Sequence, residues 1–363
     1  MGILRRLADA LNGYGRVSKE QTTRLEQLVK LSHEQTRRLG KLEKALTDHE
    51  VRWQAAVGRN ALRHVHELRD LRRAQTNNER RWKEALHRYE LRQNRERKWR
   101  VTFSRQISAL VRRVCLPADL PHPYGLLARR FQLRSQFEED GLLLELTQLA
   151  GVTERRFVEL GCGQSGNFAA LALDCGWEGV LIDASEAAVA IARNNFSSNP
   201  KVHVVCATVT PETINDLLSE QGCVGEVDAL SIDIDSYDYW VLDALTVCSP
   251  RVLVVEYNAR FGGTRAVTVP RDHPLDGVPK GYYGASLAAL TLAARRKNYR
   301  LVLCEPSGAN AFFIRNDLAP GLPELSPEVA FRPQLSRVDF GVQRTDETIF
   351  QVAAELGLPL VDV

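Results

Sequence analysis

What most constrains this chain is where it has no helix breakers. The first proline of its 363 residues is Pro117, and no glycine occurs between Gly58 and Gly125. A long stretch free of both, rich in Arg, Leu, Glu, Gln and Ala, is confined to helix, whereas the proline- and glycine-bearing remainder must turn often. Charge divides at the same place. Residues 1–115 hold 28 Lys/Arg against 13 Asp/Glu, a net of +15, and the other 248 residues hold 20 against 32, a net of −12. The overall +3 therefore averages two unlike pieces with separate jobs. A hydrophobic content of 44% supplies a core and excludes wholesale disorder. No window approaches about eighteen uninterrupted apolar residues, so no membrane span is expected. The start lacks a signal-peptide pattern, and the expected location is the cytoplasm.

In the N-terminal piece, Leu25, Leu28, Leu39, Leu42, Leu46, Trp53 and Ala56 share one a/d heptad frame, interrupted by Ser32, Gln35 and His49. Leu62, Val65, Leu68 and Leu71 then recur in steps of three and shift the seam. So narrow an apolar stripe on a charged helix cannot close its own globule. A basic coiled-coil region over 1–115 that makes a homo-oligomer is the expectation. At the very start, Ile3, Leu4, Leu7 and Leu11 share a face beside Arg5 and Arg6. That pattern suits contact with an anionic membrane surface, hence a peripheral position at the inner face of the membrane. Arginine-rich helices also suit nucleic-acid phosphates, but the larger, acidic piece argues against a nucleic-acid partner.

Seven cysteines occur without a CxxC pair, most inside apolar runs as Cys206 is in VHVVCA. They read as small buried hydrophobes, with neither disulfides nor a zinc site.

After a linker and lead-in helix at 116–151, residues 152–317 alternate short apolar strands with helical stretches. RRFVELGCG, GVLIDAS, VHVVCA, VDALSIDID and RVLVVEYN read as strands, with helices at 167–175, 184–192, 211–219 and 237–246 between them. A helix at 284–296 and two strands, YRLVLC and AFFIR, follow, joined through SGAN closely enough for an antiparallel hairpin. Five βα units with right-handed crossovers make a doubly wound parallel sheet. With the hairpin it resembles the seven-stranded α/β sheet of class I methyltransferases. Residues 318–363 form a proline-rich arm ending in a helix near 345–356, whose apolar face needs a docking site.

Two clusters carry chemistry. In Glu159-Leu-Gly-Cys-Gly-Gln-Ser-Gly, Gly161, Gly163 and Gly166 follow a strand and open a helix, where glycine lets backbone approach a cofactor closely. Asp183 ends the next strand, placed to accept both hydroxyls of a ribose. A strand-end acid such as Glu159 sits badly beside a pyrophosphate, which favours S-adenosylmethionine over a dinucleotide in this Rossmann-like setting. The second cluster is IDIDSYD, where Asp233 and Asp235, two apart on a strand, point the same way. Glu256 and Asn258 on the following strand offer oxygens to a hard cation, so Asp233, Glu256 and Asn258 are candidate magnesium ligands. The alternative is an acid cluster that meets cofactor amine and substrate hydroxyl directly. The 259–283 loop is too long for a mere connection and reads as a substrate lid, with Arg265, Tyr282 and Tyr283 as substrate contacts and His273 as a rival base to Asp235.

Gln136 and Glu139-Asp140-Gly141 in RSQFEEDGLL, then FVELGCGQSGN, GWEGVLIDAS and LSIDIDSYDYW, resemble the successive blocks of FkbM-type class I methyltransferases over about residues 130–316. The resemblance implies an S-adenosylmethionine-dependent O-methyltransferase acting on a sugar or other small hydroxylated product. Similar LDxDxY strings occur in macrocin-type sugar O-methyltransferases, which would make Asp233 a magnesium ligand and Asp235 the base. Two departures stand out. The third strand ends Cys206-Ala207-Thr208 without the acid many relatives carry near adenine, and Glu256-Tyr257-Asn258 replaces two adjacent acids. The rival readings are a coiled-coil scaffold or tether bearing a non-catalytic methyltransferase fold, and a nucleic-acid methyltransferase.

Overall fold

The computed structural model describes residues 66–67, 69–70, 87–88, 90–92, 120–272, 278, 281–334 and 347–363. The chain divides into two compact units, Met1–Lys98 and Trp99–Val363. In the first, the described residues are helical and Arg92 forms an ion pair with Glu67. The expected heptad seam and the start expected to meet a membrane surface lie outside the described residues. No helix among the described residues is long and apolar enough to cross a membrane.

In the second unit, β1 (Arg156–Leu160), β2 (Glu178–Asp183), β3 (Val202–Cys206), β4 (Gly225–Ile232), β5 (Cys248–Glu256), β7 (Tyr299–Cys304) and β8 (Asn310–Arg315) form one sheet in the order β3-β2-β1-β4-β5-β8-β7. Strands β1 to β5 pair in parallel, while β8 runs antiparallel to both β5 and β7. The chain winds outward from β1 in both directions, through β2 to β3 and through β4 to β5. The hairpin expected at the end closes the sheet by inserting β8 between β5 and β7. This is the mixed seven-stranded α/β sheet of the class I methyltransferase fold.

Both faces are covered, which is why the central strands read as continuous apolar runs. Alternate residues feed opposite cores. Phe157, Leu181, Ala229 and Val254 meet Leu142, Leu143 and Leu146 of α2 (Glu139–Ala150) on one face. Val158, Ile182, Leu230 and Val255 meet Leu242 of α6 (Asp238–Ala244) and Leu290 of α7 (Leu287–Arg296) on the other. The lead-in helix α2 is thus part of the core, preceded by the single turn α1 (Tyr124–Leu127). The remaining crossovers are α3 (Ala169–Leu173), α4 (Glu186–Asn195) and α5 (Ile214–Glu220). Ser185 and Ser286 start α4 and α7 by accepting from the backbone N–H of Ala188 and Ala289, each three residues on, at 3.2 and 3.1 Å.

Two sequence expectations change. The described cysteines are free thiols, but Cys206 is exposed, because β3 is an edge strand with only one neighbour. The docking site of the C-terminal arm is the 259–283 loop. Strand β9 (Val361–Asp362) pairs with β6 (Val267–Thr268) of that loop. Ile349 and Ala353 of α9 (Glu347–Glu355) pack with Phe261, Val267 and Val269. A further turn, α8 (Pro327–Ala330), buries Ala330 in the sheet core.

The burial of α2 gives a direct test. Leu146→Ala leaves a cavity under the sheet and should cost about 2–5 kcal/mol in urea unfolding. A loss below about 1 kcal/mol would detach α2 from the core.

Candidate functional site

The site is built where β1 and β4 part company, at the carboxyl ends of the strands, which is the crevice an open α/β sheet offers a ligand. A cavity of about 480 Å³ opens there, within the range of small-molecule sites. Glu159, Gly161, Gly163, Gly166, Asp183, Asp233 and Asp235 all line it, so the structure brings together the two clusters that the sequence separates by seventy residues.

The glycine loop is shaped by close approach. Gly161 has φ +81°, and a Cβ there would stand 1.7 Å from the carbonyl oxygen of Asp233. Gly166 has φ +66°, and a Cβ there would meet Glu159 Oε2 at 2.8 Å. Glu159 is 1% exposed and accepts from the backbone N–H groups of Asn167 and, at 3.0 Å, Phe168. Its carboxyl therefore ties the strand end to the start of α3. Burial nevertheless pushes the Glu159 carboxyl up to about 8, against the pull of those two amides. Asp183 accepts from Gly163 N–H at 2.8 Å and from Ser185 N–H at 2.8 Å, one bond to each oxygen. Each oxygen keeps a lone pair for a ligand hydroxyl.

The acidic cluster differs from its expected geometry. Strand β4 ends at Ile232, so Asp233 and Asp235 do not share a strand face. They lie on a loop, and Asp235 is exposed with φ +53°, the left-handed conformation. Asp238, the first residue of α6, is 1% exposed and holds that loop from inside, accepting from Ile234 N–H at 2.9 Å and Ser236 N–H at 3.2 Å. From outside, Gly284 N–H donates to Ser236 O at 2.8 Å. Burial first, and then the charges of Asp238 and Asp235, push the Asp233 carboxyl up to about 7. Glu256 and Asn167 beside it pull the other way, and Asn167 Nδ2 donates to Asp233 Oδ2 at 3.4 Å.

The proposed magnesium set does not fit. Asn258 Nδ2 donates to the carbonyls of Gly281 and Tyr283 at 2.8 and 2.9 Å, and its Oδ1 accepts from Arg260 N–H at 3.1 Å. Its amide is committed to holding the long loop. Among the described residues no group of three or more His, Cys, Asp or Glu is placed to hold a metal.

The lid residues are also reassigned. Tyr282 is 1% exposed and donates its hydroxyl to Pro359 O. Arg265 pairs with Asp362 at 2.9 Å and lies over the Phe350 ring. Both fasten the C-terminal arm to the loop, as befits residues on the side of the loop facing the arm. Tyr283 is half-buried and presents its carbonyl to Asn258. None of the three lines the cavity. His273 lies outside the described residues. Residues passed over as site candidates are Gln164, Thr208 and Ser236, which line the cavity from between the glycines, from the end of the third strand and from within IDIDSYD, where the glycines and acids drew the reading instead. Asn167 was legible only as the residue that follows the third glycine.

Neither a protein-family model nor a curated protein sequence matches the chain. Among solved structures, the chain is similar to the N-terminal domain of EvdMO1 with SAH bound, at 16% identity over 50% of this chain and 80% of that one, with a TM-score of 0.35. It is also similar to the O-methyltransferase from Bacillus cereus in complex with SAH, at 18% identity over 58% and 86% with a TM-score of 0.31. A third is the magnesium protoporphyrin IX methyltransferase from Synechocystis with bound SAM, at 15% identity over 48% and 77% with a TM-score of 0.32. At TM-scores of this size the fold rests on the strand order and not on the likeness.

The raised acids make the site pH-sensitive. Burial raises Glu139 and Asp233 to about 7, Glu159 to about 8 and Asp238 to about 6, all above their unfolded values. Between the unfolded and folded values the native state holds more protons than the unfolded chain, so stability falls as pH rises. The ligand-free protein should melt at a lower temperature at pH 8.5 than at pH 5.5. A melting temperature that is flat or rises over that range would contradict the assignment.

Proposed function

We propose that the chain is an S-adenosylmethionine-dependent O-methyltransferase of FkbM type, acting on a hydroxyl of a sugar, glycan or related small product. The observation that carries the cofactor is the charge of the cavity. Four acidic side chains line it, Glu159, Asp183, Asp233 and Asp235, two of them raised toward neutrality by burial, and none of the described lining residues is Lys, Arg or His. A dinucleotide would bring its pyrophosphate into that field without a counter-charge. S-adenosylmethionine brings an ammonium and a sulfonium instead, and when bound it supplies an electrophilic methyl carbon on positively charged sulfur.

The chain's own groups divide the work. Asp183, oriented by Gly163 and Ser185, accepts from the ribose hydroxyls. Ala207 and Thr208, leaving β3, and Ile182 border the nucleoside side of the cavity. Asp233 faces the cationic end. A sugar hydroxyl is a weak nucleophile, so a base must take its proton as the oxygen gains the methyl group. Asp235 is that base in this reading, an exposed carboxylate on the cavity rim with room for an acceptor beside it. The saccharide acceptor rests on the FkbM-type and macrocin-type motifs. The N-terminal helices would hold the oligomer and bring it to an anionic membrane surface.

Calorimetry on the full chain tests the cofactor. S-adenosylmethionine should bind, and Asp183→Ala should weaken binding by about 2 kcal/mol or more, the scale of hydrogen bonds to a charged group. Tighter binding of NAD would overturn the reading, and no binding of either would leave the scaffold alternative. With an acceptor in hand, Asp235→Asn should abolish turnover and leave donor affinity within a few-fold. An active Asp235→Asn enzyme beside an inactive His273→Ala enzyme would move the base to the loop.

Light scattering tests the helices. A chain beginning near residue 120 should keep donor binding and lose self-association, because the whole heptad pattern precedes it. A full-length protein that is monomeric at micromolar concentration would refute the homo-oligomer.

A further inference from the structure

The cavity poses a chemical problem. An amino-acid ligand carries an α-carboxylate, and among the described lining residues no cationic side chain is present to meet it. Neutral N–H donors must do so. Three side-chain amides line the cavity: Gln136, Gln164 and Asn167. The Asn167 amide already donates to Asp233.

Gln136 stands in an unusually well-held segment. Asp140 is 1% exposed, and its Oδ2 accepts from the backbone N–H groups of Leu133, Arg134 and Ser135 at 2.6, 2.8 and 3.0 Å, and from Ser135 Oγ at 2.9 Å. Glu139, equally buried, accepts from Phe137 N–H at 2.9 Å. Gln132 Nε2 donates to Gln136 O at 3.0 Å. Gly141 completes the clasp: its N–H donates to Phe131 O, and a Cβ there would stand 2.3 Å from Arg129 O. Two buried carboxylates thus fix the backbone on both sides of Gln136, while Gln136 itself is exposed. It is also the one residue of 120–158 that lines the cavity.

The direction of approach identifies the end of the ligand. Asn310 of β8 donates to Glu139 at 3.3 Å, so the clasp is rooted on the β5 side of the sheet. Asp183 and Thr208 lie on the β2 and β3 side, where the nucleoside belongs. Gln136 therefore comes over the opposite, amino-acid end.

We infer that the segment 131–137 is a rigid lip of the donor site, and that Gln136 donates its amide N–H to the donor's α-carboxylate. Glu139 and Asp140 are positioning residues for it. This rests on the donor assignment above and adds the group that reads its amino-acid end.

The test compares two ligands that share a nucleoside, S-adenosylhomocysteine and 5′-methylthioadenosine, the second lacking the amino-acid end. In calorimetry on the full chain, Gln136→Leu should weaken S-adenosylhomocysteine by about tenfold or more and leave methylthioadenosine within about twofold, as loss of a hydrogen bond to a charged group requires. Gln136→Glu should weaken S-adenosylhomocysteine further, by opposing two carboxylates. Asp140→Ala should show the same selective loss, with partial rescue in Asp140→Asn, whose amide oxygen still accepts. Equal loss for both ligands in Gln136→Leu, or none, would overturn the inference even if every Asp140 variant misfolds. A selective loss in Gln164→Leu with none in Gln136→Leu would overturn it too. A wild-type chain that binds neither ligand would remove the donor assignment itself, a result distinct from these.

Discussion

The site depends on one close approach. The backbone of Gly161 lies so near the carbonyl of Asp233 that no side chain fits between them. Three hydrogen bonds fix that approach: Asp233 N–H to Leu160 O at 3.0 Å, and Gly161 and Cys162 N–H to Ile182 O at 2.8 and 3.2 Å. The first pulls the chain leaving β4 over the end of β1, and the other two pull the glycine loop toward β2. Acids far apart in sequence, Glu159, Asp183 and Asp233, then converge on one cavity because the backbones that carry them have nowhere else to go. An alanine at Gly161 would have to move the acidic loop, so glycine here serves the geometry of the pocket before it serves any ligand.

Convergence has an electrostatic consequence. Burial raises the Glu159 and Asp233 carboxyls, which favours their protonated forms in the ligand-free fold. A cationic ligand offsets their charge instead. Its entry would lower those titration points and release protons, so binding of an ammonium-bearing ligand and pH are linked by necessity. A pyrophosphate would add to the repulsion, and an amino-acid ligand would relieve it while leaving its own carboxylate to neutral donors.

The large features were legible because they are written in local patterns. Strand and helix alternation, the three glycines and Asp183 at its strand end all follow from periodicity and from backbone demands that only glycine meets. The hairpin strand β8 was readable as a strand from AFFIR, and the short SGAN turn gave its direction. What failed was orientation beyond a strand end. Asp233 and Asp235 obey the rule of alternate residues only while the strand continues, and β4 stops at Ile232. Asn258 has the right atoms for a cation, but two carbonyls 23 and 25 residues later claim its amide, which no local pattern announces. Tyr282 and Arg265 were correctly placed in the long loop and wrongly aimed, because their partners in the arm lie 77 and 97 residues further on.

That reassignment bears on how the acidic loop is held. Among the residues lining the cavity, Asp235 is the only non-glycine with a left-handed backbone. Such a conformation costs an L-residue about 1–2 kcal/mol and persists only where its surroundings over-determine it. Here Asp238 grips Ile234 and Ser236 from within, and Gly284 grips Ser236 from without. Gly284 is itself held by the Thr268 hydroxyl on its carbonyl, and Thr268 pairs with Val361 of the arm. The long loop and the arm therefore bear on the cavity rim through the backbone of residues 234–236. They keep one strained side chain, that of Asp235, exposed at the cavity rim.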